Sequence, residues 1–199
     1  MAKQYDVVIV GAGPAGLMTA KTAGESGLSI ALLERRTDIT RSRRTDAGVI
    51  ALNEYMFGQI ATFNRRTQTL VFPVSGFSLK YEGPWNDHRY GFHFYSPGGK
   101  RLMVGDWAEL KKDPVKNSKG VAVSKGRLLE GILTDARAYG VEYFPNTNVT
   151  GVAIQDDRVI VETDQGEYQG RFVVAADGVN SRIVRALGLN KDRQFLGTT

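Results

Sequence analysis

The 199-residue chain contains no cysteine and only two histidines, His88 and His93. Without cysteine, the chain forms no disulfide, offers no thiolate ligand to a metal and carries no thiol redox relay. A histidine-rich metal site is not expected either, and neither histidine lies near a recognisable nucleophile motif. We therefore predict no metal site in this chain.

Long apolar runs are also missing from the sequence. No stretch approaches the roughly 18 residues that a membrane-spanning helix needs. The apolar run at residues 7–10 is too short to be the core of a signal peptide. We therefore expect no integral membrane segment and, by default, a cytoplasmic location.

The excess of positive charge is modest, with a net charge of +5. An excess of positive charge can favour binding to nucleic acid, to an anionic surface or to an anionic ligand. Its one tight cluster consists of Arg35, Arg36, Arg41, Arg43 and Arg44. We interpret this cluster as a solvated loop or as the edge of a cofactor-phosphate site, and we do not expect nucleic acid as a partner.

The first forty residues predict a strand, a helix and a second strand. Residues 5–10 form a β-branched run that ends at glycine, which is typical of a buried parallel strand. A helix is expected over residues 14–26, because Pro14 suits the first helical turn and Gly27 suits the left-handed position after the last turn. Residues 29–34 then predict the second strand, which completes a βαβ unit.

The middle of the chain has a different pattern. We predict a helix over residues 53–63, followed by inserted antiparallel strands over residues 69–105, with a turn at residues 96–99. Residues 111–120 are rich in lysine and are interpreted as an exposed connecting loop.

Helical spacing returns after Gly126 and ends at Gly140. Short strands are predicted at residues 141–144, 149–154, 159–163 and 171–176, before a final helix near Ser181. The expected class is α/β: a Rossmann-like, three-layer nucleotide-binding fold with an inserted antiparallel segment. We place the nucleotide-binding domain at residues 1–68 and 120–199, and the inserted segment, on the substrate side, at residues 69–119.

The principal motif is Gly-Ala-Gly-Pro-Ala-Gly at residues 11–16, between the first predicted strand and helix. In such a motif Gly11 permits the tight turn, Gly13 lets the backbone approach a pyrophosphate, and Gly16 lets helix and strand pack closely. Glu34 ends the second strand at about the spacing expected of a carboxylate that binds a ribose hydroxyl. The motif therefore indicates a dinucleotide site, without deciding between FAD and NAD.

A second motif, Asp177-Gly178, follows the last predicted strand. With Ser181 and Arg185 downstream, it resembles the Asp-Gly motif of the flavoprotein superfamily that includes p-hydroxybenzoate hydroxylase-type monooxygenases and geranylgeranyl reductases. The resemblance implies that the cofactor is FAD and that Asp177 approaches its riboflavin side. In the family, the matching aspartate has also been linked to binding of a nicotinamide cofactor. From the residues alone, a strand–turn–helix junction with Ser181 as N-cap is the alternative.

Two weaker matches support the same family. Lys125 occupies a position at a helix start where many members have an arginine that touches FAD. Arg44 lies in a stretch that passes close to the flavin in the family, and it could face the pyrophosphate or an incoming anionic donor. The alternative for both side chains is a solvated surface charge. The residues that we expect to contact the cofactor are Gly11, Gly13, Pro14, Ala15, Gly16, Glu34, Arg35, Arg44, Lys125, Val149, Asp177 and Gly178.

An aromatic tract at residues 90–100 is more similar to geranylgeranyl reductases than to aromatic hydroxylases. It predicts either a pocket for an isoprenoid or aromatic substrate, or ordinary sheet core. Full-length family members also carry a later Gly-Asp flavin motif, which this sequence lacks up to Thr199. We therefore expect the N-terminal half of a longer enzyme, or a short version completed by another chain.

The resemblance implies an FAD-dependent oxidoreductase that reduces or hydroxylates a small hydrophobic, isoprenoid or aromatic substrate, with NAD(P)H or another electron donor. No catalytic side chain can be assigned from the sequence. Two alternatives stay open: an FAD-binding fragment without turnover, and an NAD-dependent dehydrogenase. The latter does not account for Asp177-Gly178 or for the inserted strands.

Overall fold

The computed structural model describes residues 3–41, 48–53, 55, 58–88, 92–113 and 116–194. In chain order its strands are β1 (Gln4–Val10), β2 (Ile30–Leu33), β3 (Val49–Ala51), β4 (Thr62–Asn64), β5 (Thr69–Phe72), β6 (Phe77–Lys80), β7 (Trp85–His88), β8 (Phe92–Tyr95), β9 (Arg101–Val104), β10 (Gly120–Val123), β11 (Glu142–Phe144), β12 (Val149–Gln155), β13 (Arg158–Thr163) and β14 (Gly166–Ala175). Its helices are α1 (Pro14–Glu25), α2 (Trp107–Lys112), α3 (Lys125–Ala138) and α4 (Arg182–Ala186).

The chain forms two compact units, one from residues 1–41 and 132–199 and the other from residues 42–131. The first unit contains a six-stranded sheet in the order β11-β2-β1-β14-β13-β12. Strands β11, β2, β1 and β14 run parallel, whereas β13 and β12 are antiparallel additions at one side. The predicted α/β class with a βαβ start is confirmed.

The central strands of this sheet are apolar and buried. Val8 and Ile9 of β1 and Leu32 of β2 are fully buried, as expected of parallel strands that lose contact with water on both faces. Leu17 and Ala20 of α1 are equally buried and pack towards these strands. The hydrophobic effect over these strands and this helix therefore holds the loop after β1 in place.

The second unit consists of antiparallel sheets, in the orders β3-β10-β7, β4-β5-β6 and β8-β9. These include the antiparallel strands predicted over residues 69–105, and Gly99 adopts a positive φ of 78° in the predicted turn. The compact unit extends beyond residues 69–119 on both sides. The domain borders drawn from the sequence remain a prediction.

The predicted helix over residues 53–63 is wrong. The described part of this stretch contains turn and extended backbone, and β4 begins at Thr62. Phe63 is buried, packs edge-on against Trp85 at a ring-centroid distance of 5.1 Å, and pairs with Leu70 of β5. Its apolar side chain belongs to a sheet face and not to a helical stripe, because contacts with distant strands override the local pattern.

The interpretation of residues 111–120 as one exposed loop is also wrong in part. Lys111 and Lys112 end helix α2, which Asp106 caps by accepting the Ala108 N–H at 2.7 Å. Ser118 is only 2% exposed. Its hydroxyl donates to the Gly120 carbonyl at 2.7 Å, where β10 begins. Because the stretch is rich in lysine, its sequence did not indicate that Ser118 is buried beside the start of β10.

Candidate functional site

The two sequence motifs lie side by side, because β1 and β14 are neighbouring parallel strands. Val10 pairs with Ala175 in the register, and the Ala176 N–H donates to the Val10 carbonyl at 2.9 Å. Parallel neighbours end at the same edge of the sheet, which is where ligands bind in such folds. The glycine loop after β1 and the Asp177 loop after β14 therefore share one edge.

Gly11 is the point of closest approach between the two loops. Its φ is +101°, and a Cβ there would lie 2.5 Å from the Ala176 carbonyl oxygen and 3.0 Å from the Asp177 Cα. A side chain at this position is excluded both by the conformation and by the lack of space. The prediction that Gly11 permits a tight turn agrees with this geometry.

Gly16 and Gly13 differ sharply in their surroundings. A Cβ on Gly16 would lie 1.8 Å from the Gly11 carbonyl oxygen, so the first turn of α1 rests directly on the loop. A Cβ on Gly13 would meet no described atom within 4 Å. The space beside Gly13 is thus open, as an approaching pyrophosphate requires.

The same open space borders the start of α1. The first N–H groups of a helix have no partner within the helix and favour an anion. Gly13 is the N-cap and supplies no side chain to satisfy them, while Pro14 and Ala15 are exposed. The loop can therefore offer backbone N–H groups to a phosphate.

Glu34 joins the end of β2 to the glycine loop. Its side chain is almost fully buried, and its Oε2 accepts a hydrogen bond from the Ala12 N–H at 2.8 Å. This places the carboxylate next to the loop, as expected of a group that binds a ribose hydroxyl.

Arg36 is the partner that the sequence interpretation missed. Its backbone N–H and its Nε both donate to Glu34 Oε1 at 2.9 Å, and its Nη2 lies 3.3 Å from Oε2. Arg35, which was predicted instead, is exposed. The sequence did not indicate this pair, because the chain bends at residues 35–37, directly after β2, and the bend brings Arg36 back to Glu34.

These contacts determine the charge of Glu34. Burial alone would raise the pKa of its carboxyl group. Hydrogen bonds from Arg36 and from the Ala12 N–H outweigh burial, so the pKa lies below the ordinary carboxyl value. Glu34 is therefore a charged acceptor at neutral pH.

The two carboxylate oxygens of Asp177 have different surroundings. Its Oδ2 accepts the Arg182 N–H at 2.6 Å, whereas its Oδ1 is buried and has no hydrogen-bond partner among the described residues. Ser181 does cap α4, with its Oγ accepting the Val184 N–H at 3.0 Å. The capping alternative thus explains Ser181 but leaves Asp177 Oδ1 unexplained. A buried acceptor without a donor fits a ligand hydroxyl or N–H.

The remaining residues predicted to contact the cofactor do not all belong to the same element. Gly178 has a φ of +90° and open space around it. Val149 is buried at the start of β12, where its carbonyl accepts from Arg182 Nη1 at 2.5 Å. Lys125 is the first residue of α3, in the second unit. Arg44 lies outside the described residues.

The segment that leads into α3 is held by one buried tyrosine. The Tyr81 hydroxyl donates to the Pro84 carbonyl and accepts the Ser124 N–H, both at 2.8 Å. This bond fixes the backbone one residue before Lys125. This contact was not predicted from the sequence, because Tyr81 and Ser124 belong to different segments.

The aromatic tract is not sheet core where it is described. Phe94 and Tyr95 of β8 are 53% and 66% exposed, respectively. Tyr90 and Gly91 lie outside the described residues. A substrate pocket formed by this tract remains a prediction.

The geometry around the glycine loop agrees with comparisons to known proteins. The sequence model of a family described as FAD binding domain matches residues 4–50, which include the loop and Glu34. Residues 4–50 are therefore similar to an FAD-binding domain. The predicted cofactor and the predicted resemblance to this flavoprotein superfamily are confirmed.

Relatives of the domain include reductases and a monooxygenase. The chain is 28% identical over 191 residues to a digeranylgeranylglycerophospholipid reductase of Methanosarcina acetivorans, covering 94% of this chain and 40% of that protein. It is 29% identical over 185 residues to an FAD-dependent monooxygenase of Hypoxylon pulicicidum, covering 91% of this chain and 35% of that protein. The chain therefore spans about two fifths of the length of these relatives.

Solved structures share the fold of the FAD-binding domain. A geranylgeranyl bacteriochlorophyll reductase-like protein of Thermoplasma acidophilum aligns with a TM-score of 0.65 and 20% identity, covering 97% of this chain and 44% of that one. The p-nitrophenol 4-monooxygenase of Pseudomonas putida aligns with a TM-score of 0.59 and 21% identity, covering 94% and 44%. In the part of the chain that the structure describes, no helix is long and apolar enough to cross a membrane.

Proposed function

We propose that the chain is the FAD-binding part of a flavin-dependent oxidoreductase that reduces double bonds in an isoprenoid substrate. The observation that carries the proposal is the buried Asp177 Oδ1, which lies at the same sheet edge as the glycine loop and has no hydrogen-bond partner within the described part of the chain. A dinucleotide bound along this edge would contact the loop through its phosphates and Asp177 through a hydroxyl or N–H donor. The reductase names of several relatives favour reduction over hydroxylation.

Each residue predicted to contact the cofactor has a proposed role in holding it. Backbone groups of residues 11–16 bind the pyrophosphate, helped by the positive end of α1. Glu34 accepts from a ribose hydroxyl, and Asp177 accepts from the riboflavin side. Val149, Gly178 and the charged Arg35 complete the proposed set, and the cofactor contacts expected of Arg44 and Lys125 remain predictions from the sequence. When bound, FAD supplies the redox chemistry by taking up and releasing electrons.

The remaining parts of the proposal concern partners. We propose NAD(P)H or another electron donor, and a small hydrophobic substrate bound with the help of a C-terminal half or a completing chain. The cytoplasmic location expected from the sequence belongs to the same proposal. A hydroxylase acting on an aromatic substrate is the second candidate, because monooxygenases are also among the relatives and structural neighbours.

The test begins with FAD binding by the purified chain. We expect the reconstituted protein to show flavin absorption bands. At a hundredfold excess of FAD over its dissociation constant, the apparent free energy of unfolding should rise by about 2.7 kcal/mol. Stabilisation by NAD and not by FAD would favour a dehydrogenase. A colourless protein that FAD does not stabilise would contradict the proposal.

Turnover is tested separately. The reconstituted protein is reduced with dithionite or NADPH without oxygen. It is then mixed with a geranylgeranyl lipid under the same conditions, or with a phenol and dissolved oxygen. Reoxidation of the flavin with loss of alkene supports a reductase, whereas oxygen-dependent hydroxylation supports the second candidate. Bound FAD that cannot be reduced and reoxidised indicates a binding fragment without turnover.

A further inference from the structure

The two oxygens of the Glu34 carboxylate have different surroundings. Oε1 accepts two hydrogen bonds from Arg36, through the backbone N–H and Nε, both at 2.9 Å. Oε2 accepts one short bond from the Ala12 N–H at 2.8 Å and a longer one from Arg36 Nη2 at 3.3 Å. A carboxylate has about four acceptor sites. The long contact to Nη2 is therefore the one that a ligand hydroxyl can replace most easily.

Burial makes this arrangement depend on Arg36. The Glu34 side chain is 6% exposed, whereas that of Arg36 is 34% exposed. A buried carboxylate needs a paired charge and hydrogen bonds to stay ionised. The more exposed guanidinium of Arg36 supplies this charge. Because the guanidinium is planar and donates several hydrogen bonds, it also fixes the orientation of the Glu34 carboxylate.

We propose that Arg36 is a positioning residue that holds Oε1 of Glu34, so that Oε2 faces a ribose hydroxyl of the bound dinucleotide. This inference rests on the proposed role of Glu34 in FAD binding and extends it to a residue outside the glycine motif. Arg36 need not touch the cofactor itself. Its effect on binding passes through the orientation and the charge of Glu34.

Tyr143 and Asp38, whose pKa values are shifted, each stay in one state at moderate pH. Tyr143 of β11 has its pKa raised to about 12, first by burial and then by the charge of Glu34. The guanidinium of Arg137 lies 5.1 Å from the ring of Tyr143. The pKa of Asp38 is lowered, first by hydrogen bonds from Thr40, so that Asp38 remains charged beside Arg36. Between about pH 5 and about pH 8, Glu34 is therefore the group of this set whose charge can change if Arg36 is removed.

The first test measures FAD affinity against pH for Arg36→Met and Arg36→Lys. Removing a charged hydrogen-bond donor is expected to weaken FAD binding about 10-fold for Arg36→Met. The loss should be larger at about pH 5 than at about pH 8, because Glu34 becomes easier to protonate. Arg36→Lys keeps the charge and should restore a flat pH profile. Arg158→Met is the matched control, since Arg158 pairs with Asp157 on an exposed turn.

The second test asks whether the ribose hydroxyl is the group that Arg36 affects. ADP and 2′-deoxy-ADP compete with FAD for the unaltered protein and for Arg36→Met. We expect ADP to bind about 10-fold more tightly than 2′-deoxy-ADP to the unaltered protein. This ratio should approach one in the variant, where Glu34 is no longer held towards the hydroxyl.

Several outcomes would overturn the inference. It is wrong if Arg36→Met keeps the affinity and pH profile of the unaltered protein. It is also wrong if Arg36→Met melts at a lower temperature and loses affinity equally at every pH and for both nucleotides, because that pattern belongs to a structural role. If the unaltered protein binds no FAD, the proposed function fails together with this inference, which distinguishes that case from the other two.

Discussion

A Cβ on Gly16 would lie 1.8 Å from the carbonyl oxygen of Gly11, closer than any two such atoms can approach. The substitution Gly16→Ala must therefore push the start of α1 away from the loop. We expect a loss of about 1–3 kcal/mol in the free energy of unfolding, as for other overpacked sites. Urea denaturation of the protein without FAD measures this loss directly.

Gly13→Ala is the matched control for this substitution. The new Cβ meets no described atom within 4 Å, and Gly13 has a φ of −78°, which any residue adopts. The cost to folding should be less than about 1 kcal/mol, mostly from a poorer N-cap. FAD affinity should nevertheless fall, because the methyl group fills the space that a pyrophosphate needs. Equal stability losses for both variants would contradict this account of the loop.

Asp177→Ala should weaken FAD binding more than it weakens the fold. The substitution removes the buried Oδ1, which has no partner among the described residues, together with the Oδ2 that accepts the Arg182 N–H at 2.6 Å. We expect the dissociation constant for FAD to rise about 10-fold, the usual effect of losing one charged hydrogen bond. Flavin fluorescence titration measures it. Asp157→Ala, on an exposed turn, is the control and should bind FAD unchanged.

Tyr81→Phe tests the anchor in front of α3. The substitution keeps the fully buried ring and removes the hydroxyl that bonds both the Pro84 carbonyl and the Ser124 N–H. Two backbone groups lose their partner, so the free energy of unfolding should fall by about 1–3 kcal/mol. Chemical denaturation measures it, with Tyr95→Phe as an exposed control. Equal stability of the two variants would show that water replaces the hydroxyl.

Stability should fall in acid, partly through Glu34. Its folded pKa lies below the ordinary value of 4.5, so its contribution is present above that pH and is lost as the pH falls through the folded pKa. Asp6 and Asp38 have lowered pKa values too and act in the same direction. The difference between the unaltered protein and Glu34→Gln isolates Glu34. This difference in unfolding free energy should shrink between about pH 5 and about pH 3.

Local sequence predicted the first βαβ unit well. The glycine loop, the start of α1 at Pro14 and the positive φ of Gly27 follow from chemistry within a few residues. The same holds for Gly140 after α3 and for the cap at Ser181. In each case the residue type needed for the backbone conformation stands at the position itself.

Predictions failed where distant segments decide the structure. Phe63 lies in a strand because Leu70 and Trp85 cover it, and neither partner is visible in a local window. The strand β10 was missed for the same reason, since its edges are satisfied by β3 and β7. In both cases pairing between segments, and not local propensity, determines the conformation.

In the candidate site, some features follow from local sequence and others depend on contacts between distant segments. The adjacency of Gly11 and Ala176 required the register of β1 and β14, which the sequence indicated only through a family resemblance. The bond from Glu34 to the Ala12 N–H could not be predicted from the spacing of the motif. The pairing of Glu34 with Arg36 depends on the bend of the chain at residues 35–37, directly after β2.

The position of β14 between β1 and β13 also constrains how the protein is made. The glycine loop leaves the ribosome early, but Ala176 and Asp177 leave it only after most of the described chain has been synthesised. Until then one edge of β1 has no strand beside it and is open to incorrect pairing. A cofactor that contacts both the glycine loop and Asp177 can therefore bind completely only after β14 has been synthesised and has paired with β1.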